Sequence, residues 1–299
     1  MDRLYAMTVF VTVVEEGGFA RAARRLNVSP PVVTRAIADL EAHLQARLLT
    51  RTTRVVRVTE AGARYVQDCR RLLSDIQEAD EAAKGMHGAP RGALTLTASV
   101  LFGHMFVMPI VADYLRCHPE VNASCWFVDR VMHMVDEGVD VAVRIGELPD
   151  SSLHAIRVGT VRRIVCASPD YLAAHGLPRH PQDLDGHTVI AATGVTSSTQ
   201  WHFQVEGQTR AYAVQPRIAT NANASAITAA LGGFGLTRLM SYQVADHLRA
   251  GRLQALLAEF EHAPLPVHVV YREGRQASQK VRTFLDFMVE RLRADTALN

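Results

Sequence analysis

The stretch from Gly18 to Leu44, GFARAARRLNVSPPVVTRAIADLEAHL, constrains this chain more than any other. Phe19, Ala22, Ala23 and Leu26 recur at i, i+3, i+4 and i+7, the spacing of one apolar stripe on a helix. Asn27-Val28-Ser29 breaks the pattern. Ser29 is suited to cap a second helix, and Pro30 fits that helix's first position because its missing N–H would have no partner there. The second helix is predicted to bury Val33, Ile37, Leu40 and Leu44, leaving Pro30, Val32, Thr34 and Arg35 on the opposite face. Two short helices joined by three residues make either a helical hairpin inside a core or a helix-turn-helix, whose second helix can enter a DNA major groove.

The flanking residues favour the second reading. After Leu48-Leu49 comes RTTRVVRVT, in which Val and Thr favour extended structure and Arg51, Arg54 and Arg57 recur every third residue. This predicts a short β-hairpin wing. Its arginines either reach phosphates and the minor groove or protect a solvated edge strand. Residues 1–59 hold nine arginines, no lysine and five acids, a local excess against the net +2 of the whole chain. Ahead of them, Leu4, Met7, Val11 and Val14 give a helical stripe over residues 3–16, ended by Gly17-Gly18. Leu4–Val14 is apolar but lacks a basic leader and a small-residue cleavage site, and no apolar run approaches the roughly 20 residues that span a bilayer. A cytoplasmic protein with no membrane partner is expected.

Thr59-Glu60 opens a long helix reaching about Lys84. Tyr65, Cys69, Leu72, Ile76, Ala79 and Ala83 lie 4, 3, 4, 3 and 4 residues apart, a heptad seam that suits a second copy of the helix or a neighbouring domain. Gly85–Pro90 is a hinge by composition. Beyond it, strands expected at Ala93–Ala98, Val121–Phe127, Val139–Arg144, Ile164–Ala167, Thr188–Ala192, Arg217–Thr220 and Val267–Tyr271 alternate with helices. Helices are expected at Leu101–Leu115, Val131–Glu137, Asp170–His175, Ala224–Leu231 and Ala277–Leu292, and a hairpin around Glu206-Gly207. This is an α/β layout with a parallel sheet.

Ligands of such sheets bind beyond the carboxyl ends of strands, near helix N-termini. Ser99-Val100, Arg144-Ile145-Gly146 and Asn221-Ala222-Asn223 stand at such ends, and Thr196–Trp201 is a loop rich in hydroxyls. They either line a cleft for a small, anionic metabolite or serve as simple N-caps. No HExxH, GxSxG or Walker loop occurs, and no His, Cys and Asp residues cluster with ligand spacing. No enzyme, cofactor or metal is therefore expected. Cys69, Cys117, Cys125 and Cys166 form no CxxC pair and read as scattered buried thiols.

The run AxxLNVSxPxVTRAIxxLExxL, followed by RxxRxVRVTEAG, resembles the N-terminal domain of the LysR-type transcriptional regulators, and the order of the later segments fits that family's effector domain over the whole chain. The resemblance implies a winged helix-turn-helix over residues 1–59, a linker and dimerisation helix with a hinge over 60–88, and a two-lobed, periplasmic-binding-protein-like domain over 89–299. Lobe I would take 91–163 and 268–299, and lobe II 164–267. It further implies a homodimer or homotetramer on double-stranded promoter DNA, with a small-molecule effector altering DNA bending and access of RNA polymerase. Ser29, Thr34 and Arg35 would meet phosphates or base edges, Pro30, Pro31 and Val32 thymine methyls, and Arg51 and Arg54 would hold the wing in place. Ser99, Val100, Ile145, Gly146, Thr196, Trp201 and Asn221 would line the effector cleft. The chain departs from the family at Pro30, usually polar, at Val32, usually small, and at Gly18, usually a serine cap. A polar base-reading side chain is thus missing at that step.

Overall fold

The computed structural model describes residues 2–51, 56–83, 89–134, 137–149, 153–192, 200–272 and 278–298. They form two compact units, Met1–Ala93 and Leu94–Asn299.

The first unit begins with α1 (Arg3–Glu16), whose N-cap Asp2 accepts the Tyr5 N–H at 3.1 Å and whose end is set by Gly17 in the left-handed conformation. The stripe expected on α1 is too narrow. Ala6, Met7, Val9, Phe10, Val11 and Val13 are all buried, whereas Leu4 is 44% exposed. The reason is that α2 (Phe19–Arg25), α3 (Pro30–Leu44) and α4 (Glu60–Ala83) all pack on α1, so it is a central rather than a surface helix. Asn27, in the left-handed region at φ 54°, turns the chain from α2 to α3. On α3, Val33, Ala36, Ile37 and Leu40 are buried, and Leu44 packs at the edge of the same core.

The wing forms as an antiparallel pair of β1 (Leu49–Arg51) and β2 (Val56–Val58), with Leu49 opposite Val58. Glu41 of α3 anchors it, its carboxylate accepting the N–H groups of Leu48 and Leu49 at 2.8 and 3.0 Å. Thr59 then caps α4, accepting the Gly62 N–H at 3.0 Å while its hydroxyl donates to Arg47 O at 2.7 Å. Gly62 passes so close to the chain before the wing that a Cβ there would lie 2.1 Å from Leu48 O. The Thr-Glu-Ala-Gly run is therefore a packing requirement of the wing–helix junction.

The α4 seam divides. Val66 and Cys69 are buried with Tyr65 and Leu73 in the core around α1, so its first half is used inside the unit. Leu72 and Ile76 are 40% and 37% exposed. The side chains of Ala79 and Ala83 lie outside those described.

The second unit contains two five-stranded sheets. One runs in the order β4 (Val121–Phe127), β3 (Gly92–Ala98), β5 (Val141–Ile145), β14 (Leu265–Arg272), β6 (Leu153–Val161). The other runs β11 (Pro216–Thr220), β8 (Val189–Ala192), β12 (Leu236–Met240), β7 (Arg163–Ala167), β13 (Gln254–Leu256). Both are mixed rather than parallel. β14 runs antiparallel to β5 and β6, and β7 antiparallel to β12 and β13. Strands β6 and β14 carry the chain out of the first sheet and back, so neither follows the strand–helix–strand crossover that enforces parallel pairing.

In the first lobe the helix Val100–Cys117 and the helix Gln279–Ala294 pack on the sheet through Phe102, Phe106, Ile110, Tyr114, Phe284 and Met288. Val100–Cys117 is apolar enough to cross a membrane by composition, but these buried residues make it a core helix, with a π turn over Gly103–Val107. In the second lobe, Ile164 and Cys166 face one core and Val165 and Ala167 another, so the apolar run is a strand buried on both sides. The hairpin of β9 (Gln200–Val205) and β10 (Gln208–Ala213) covers one of those cores with Trp201, Phe203 and Val205. Strands β6, β12 and β13 and the helix Ser241–Arg249 are absent from the sequence reading. Conversely, residues 131–134 form no helix. Cys69 and Cys166 are buried, and burial pushes their thiols up to about 11 and about 12; Cys117 is exposed and Cys125 half-buried.

Candidate DNA-binding face and inter-lobe cleft

On the first unit, Ser29, Pro30, Pro31, Val32 and Arg35 are exposed, and Thr34 is half-exposed beside them. Ser29 occupies the N-cap position with extended backbone, yet its hydroxyl makes no cap hydrogen bond. A cap side chain accepts from the second or third N–H of the helix. Here the second residue is Pro31, which has none, and the third, Val32, donates to Ser29 O at 3.0 Å. The hydroxyl is left facing solvent, and the first turn presents apolar surface with Val32 42% exposed. Arg25 is committed to Glu15 and Glu16 at 3.0 Å, which removes it from the surface charge available to a partner. Arg57 on the wing is exposed. The backbone of Arg51 ends β1, whereas its side chain and all of Arg54 lie outside the described residues.

On the second unit, a cleft of about 500 Å³ lies between the lobes, within the range of small-molecule sites. Ser99, Ile145 and Trp201 line it. Val100, Gly146 and Asn221 do not, and Thr196 lies outside the described residues. The helix beginning at Val100 is not an open anion site, because Asp129 accepts the Val100 N–H at 3.0 Å and supplies the negative charge from within. Gly146 donates its N–H to Pro266 O at 2.9 Å. The asparagine on the cleft wall is Asn223, first residue of the helix Asn223–Leu231.

Four arginines line the cleft: Arg130, Arg144, Arg163 and Arg238. Arg130 is neutralised by a bidentate pair with Glu137 at 3.0 and 2.6 Å, which holds that carboxyl at about 2. Arg144 donates to Met132 O at 2.5 Å, and burial lowers its pKa. Arg163 makes no ion pair among the described residues. Arg238 donates to His202 O at 2.7 Å and lies 5.1 Å over the Phe203 ring. Burial, and then the charge of Arg163, bring Arg238 down to about 10. Among the described lining residues the one carboxylate is Asp129. The floor is formed by Tyr242, which reaches into the first lobe's core against Phe102 and Phe106 at ring distances of 5.3 and 5.7 Å. Ser99 Oγ lies buried beside the Tyr242 hydroxyl without a hydrogen bond of good geometry.

A winged helix-turn-helix on the same chain as a two-lobed module with a small-molecule cleft defines a class of ligand-responsive DNA-binding proteins. Residues 4–63 match the family model described as bacterial regulatory helix-turn-helix protein, lysR family, and residues 87–293 match the LysR substrate binding domain. The chain belongs to the LysR family of bacterial transcriptional regulators, with a DNA-binding helix-turn-helix and an effector-binding domain. It is 32% identical over 287 residues to the HTH-type transcriptional regulator CrgA of Neisseria meningitidis serogroup B, covering 96% of each chain. It is 30% identical over 290 residues to the HTH-type transcriptional activator AaeR of Escherichia coli K12, covering 97% of this chain and 94% of AaeR. The structure of CrgA superposes with a TM-score of 0.61, covering 96% of this chain and 98% of CrgA. That of the Vibrio cholerae virulence activator AphB, 27% identical, gives 0.62 over 96% and 98%.

Proposed function

We propose that this regulator recognises its operator with the exposed face of α3 and reads an organic anion between the two lobes. Ser29, Thr34 and Arg35 meet phosphates or base edges, and Pro30, Pro31 and Val32 present apolar surface to the groove. Arg51 and Arg54 of the wing hold the flanking backbone. The exposed Leu72 and Ile76 on α4 supply a seam for pairing two copies, which would space two α3 helices about one DNA turn apart or a multiple of it. Such a protein works in the cytoplasm, as a homodimer or homotetramer whose arrangement on DNA governs access of RNA polymerase.

The observation that carries the effector class is the cleft wall. Arg144, Arg163 and Arg238 line it, and among the described residues the one lining carboxylate, Asp129, is already spent on a helix N-terminus. Cationic groups that outnumber the carboxylates on the wall, two of them half-buried, favour an anionic ligand. Such a ligand shifts the promoter-bound arrangement only by its differential affinity for the two states. A gel-shift titration on the chain's own upstream region, with and without a carboxylate panel, tests this reading. A single-subunit species by light scattering that ignores that DNA would overturn it.

A further inference from the structure

The two segments that join the lobes are tied to each other by one ion pair, and the same carboxylate acts on the cleft. Arg162 lies between β6 and β7, where the chain leaves the first sheet, and Glu261 lies between β13 and β14, where it returns. Arg162 Nη1 donates to Glu261 Oε2 at 2.8 Å, and the glutamate side chain is only 9% exposed. Arg162 also exchanges two hydrogen bonds with Ser241, N–H to Oγ at 3.0 Å and O from the Ser241 N–H at 2.7 Å. Ser241 precedes Tyr242 on the cleft floor. Glu261 Oε1 is buried with no hydrogen-bond partner. Its charge acts on Arg238, whose own Nε is likewise buried and unpartnered although the guanidinium lines the cleft. A buried donor and a buried acceptor, both unsatisfied, are costly in a folded chain and mark a place where a partner is expected.

We infer that Arg238 is the anion-anchoring residue of the cleft, and that Glu261 is a positioning residue that holds Arg238 in partial competition with the ligand and passes its arrival to the lobe crossovers through Arg162. A carboxylate in the cleft can accept from the guanidinium of Arg238, while His202 O keeps Nη2 in place. Once Arg238 is engaged by the incoming anion, the Glu261 side chain gains less by turning towards it and is biased to its pair with Arg162. Anion arrival thus tightens the clasp between the two crossovers. This rests on the reading of the cleft as an anion site.

The test uses the full chain with Trp126→Phe, which removes the exposed Trp126, 59% exposed, and leaves Trp201 in the cleft wall as the single indole reporter. Acetate, succinate and benzoate are titrated at constant ionic strength, with acetamide, succinamide and benzamide as neutral controls. At least one carboxylate should change Trp201 emission saturably, and its amide should not. Arg238→Met should weaken that carboxylate at least tenfold, and Arg238→Lys, which keeps charge without the planar fork, should recover only part of the loss. Glu261→Gln should tighten binding about threefold or more, because Arg238 then answers to the ligand alone, and Glu261→Asp should return the affinity towards that of the parent. Thermal unfolding confirms that each variant is folded, and the Arg162→Gln variant, which leaves the Glu261 carboxylate to Arg238, should weaken the carboxylate and lose the anion's effect on DNA binding. No response to any carboxylate in the parent chain would overturn the anion reading itself. Binding that is indifferent to Arg238→Met and Glu261→Gln would overturn this inference and leave that reading standing.

Discussion

The DNA-binding face and the cleft present opposite solutions to holding a charged partner. On the first unit, the residues proposed to face DNA come from the start of one helix and an adjoining hairpin; Ser29, Pro30, Pro31, Val32, Arg35 and Arg57 are exposed, with the core behind them built from α1, α2, α3 and α4. In the cleft, Ser99, Asp129, Arg144, Trp201 and Arg238 come from five separate stretches and are partly or wholly shielded from water, with Arg163 exposed at its edge. An exposed arginine on α3 gains little from the protein and finds its strength in a dense array of phosphates, so its contribution is salt-sensitive. A shielded arginine carries a desolvation cost before the ligand arrives, so its contribution depends on who neutralises it. Charge number governs the first surface, and charge pairing the second.

Four substitutions press on that contrast. The largest effect is expected for Gly62→Ala, whose Cβ would meet Leu48 O at 2.1 Å. Forcing the wing from α4 should cost about 3 kcal/mol, read by thermal unfolding. DNA binding should be lost, while the Trp201 response to carboxylates is retained. Loss of both responses together would break the separation drawn between the two regions. Next, Arg35→Ala should cost roughly 1–3 kcal/mol on a selected operator if it reads a base edge, and far less on random DNA. Equal losses on both, measured by fluorescence anisotropy, would make it a phosphate contact instead. Arg51→Ala should weaken binding evenly across sequences and lower the slope of log affinity against log salt by about one.

The smallest effect is in the second unit. The Glu137 carboxyl is held at about 2 against an ordinary 4.5, first by its hydrogen bond to Arg130. A depressed carboxylate contributes stability that is present above the unfolded value and lost as pH falls through the folded one. Thermal unfolding between pH 4.5 and 2 should therefore fall less steeply in Glu137→Gln than in the parent. An identical slope would show that the exposed pair contributes nothing, as many surface ion pairs do.

How much was legible in the sequence follows the same division. The helix-turn-helix, the wing and the start of α4 were readable because each is written in consecutive residues: a turn, a proline pair and a capping threonine followed by a glycine. The stripe on α1 misled because a helix buried on several sides leaves no periodic signal. The cleft was only half readable. Ser99, Ile145 and Trp201 stand at strand or helix ends, where the rule for α/β sheets looks for them. Asn223 rather than Asn221 lines the cleft, and nothing in the sequence says on which residue the helix begins. Arg238 sits in β12, flanked by Gly232, Gly233 and Gly235, and the glycines hid the strand. Arg163 gained its place only through the crossover between sheets, and Glu261 through the return, which no local pattern encodes.

Asp129 has a consequence for selectivity. Because the chain plugs the start of Val100–Cys117 with a carboxylate of its own, chloride and free phosphate meet a stoppered dipole instead of an open one. Background ions, abundant in every cell, then have little to grip at that helix end, and selection among anions falls to the arginines of the wall.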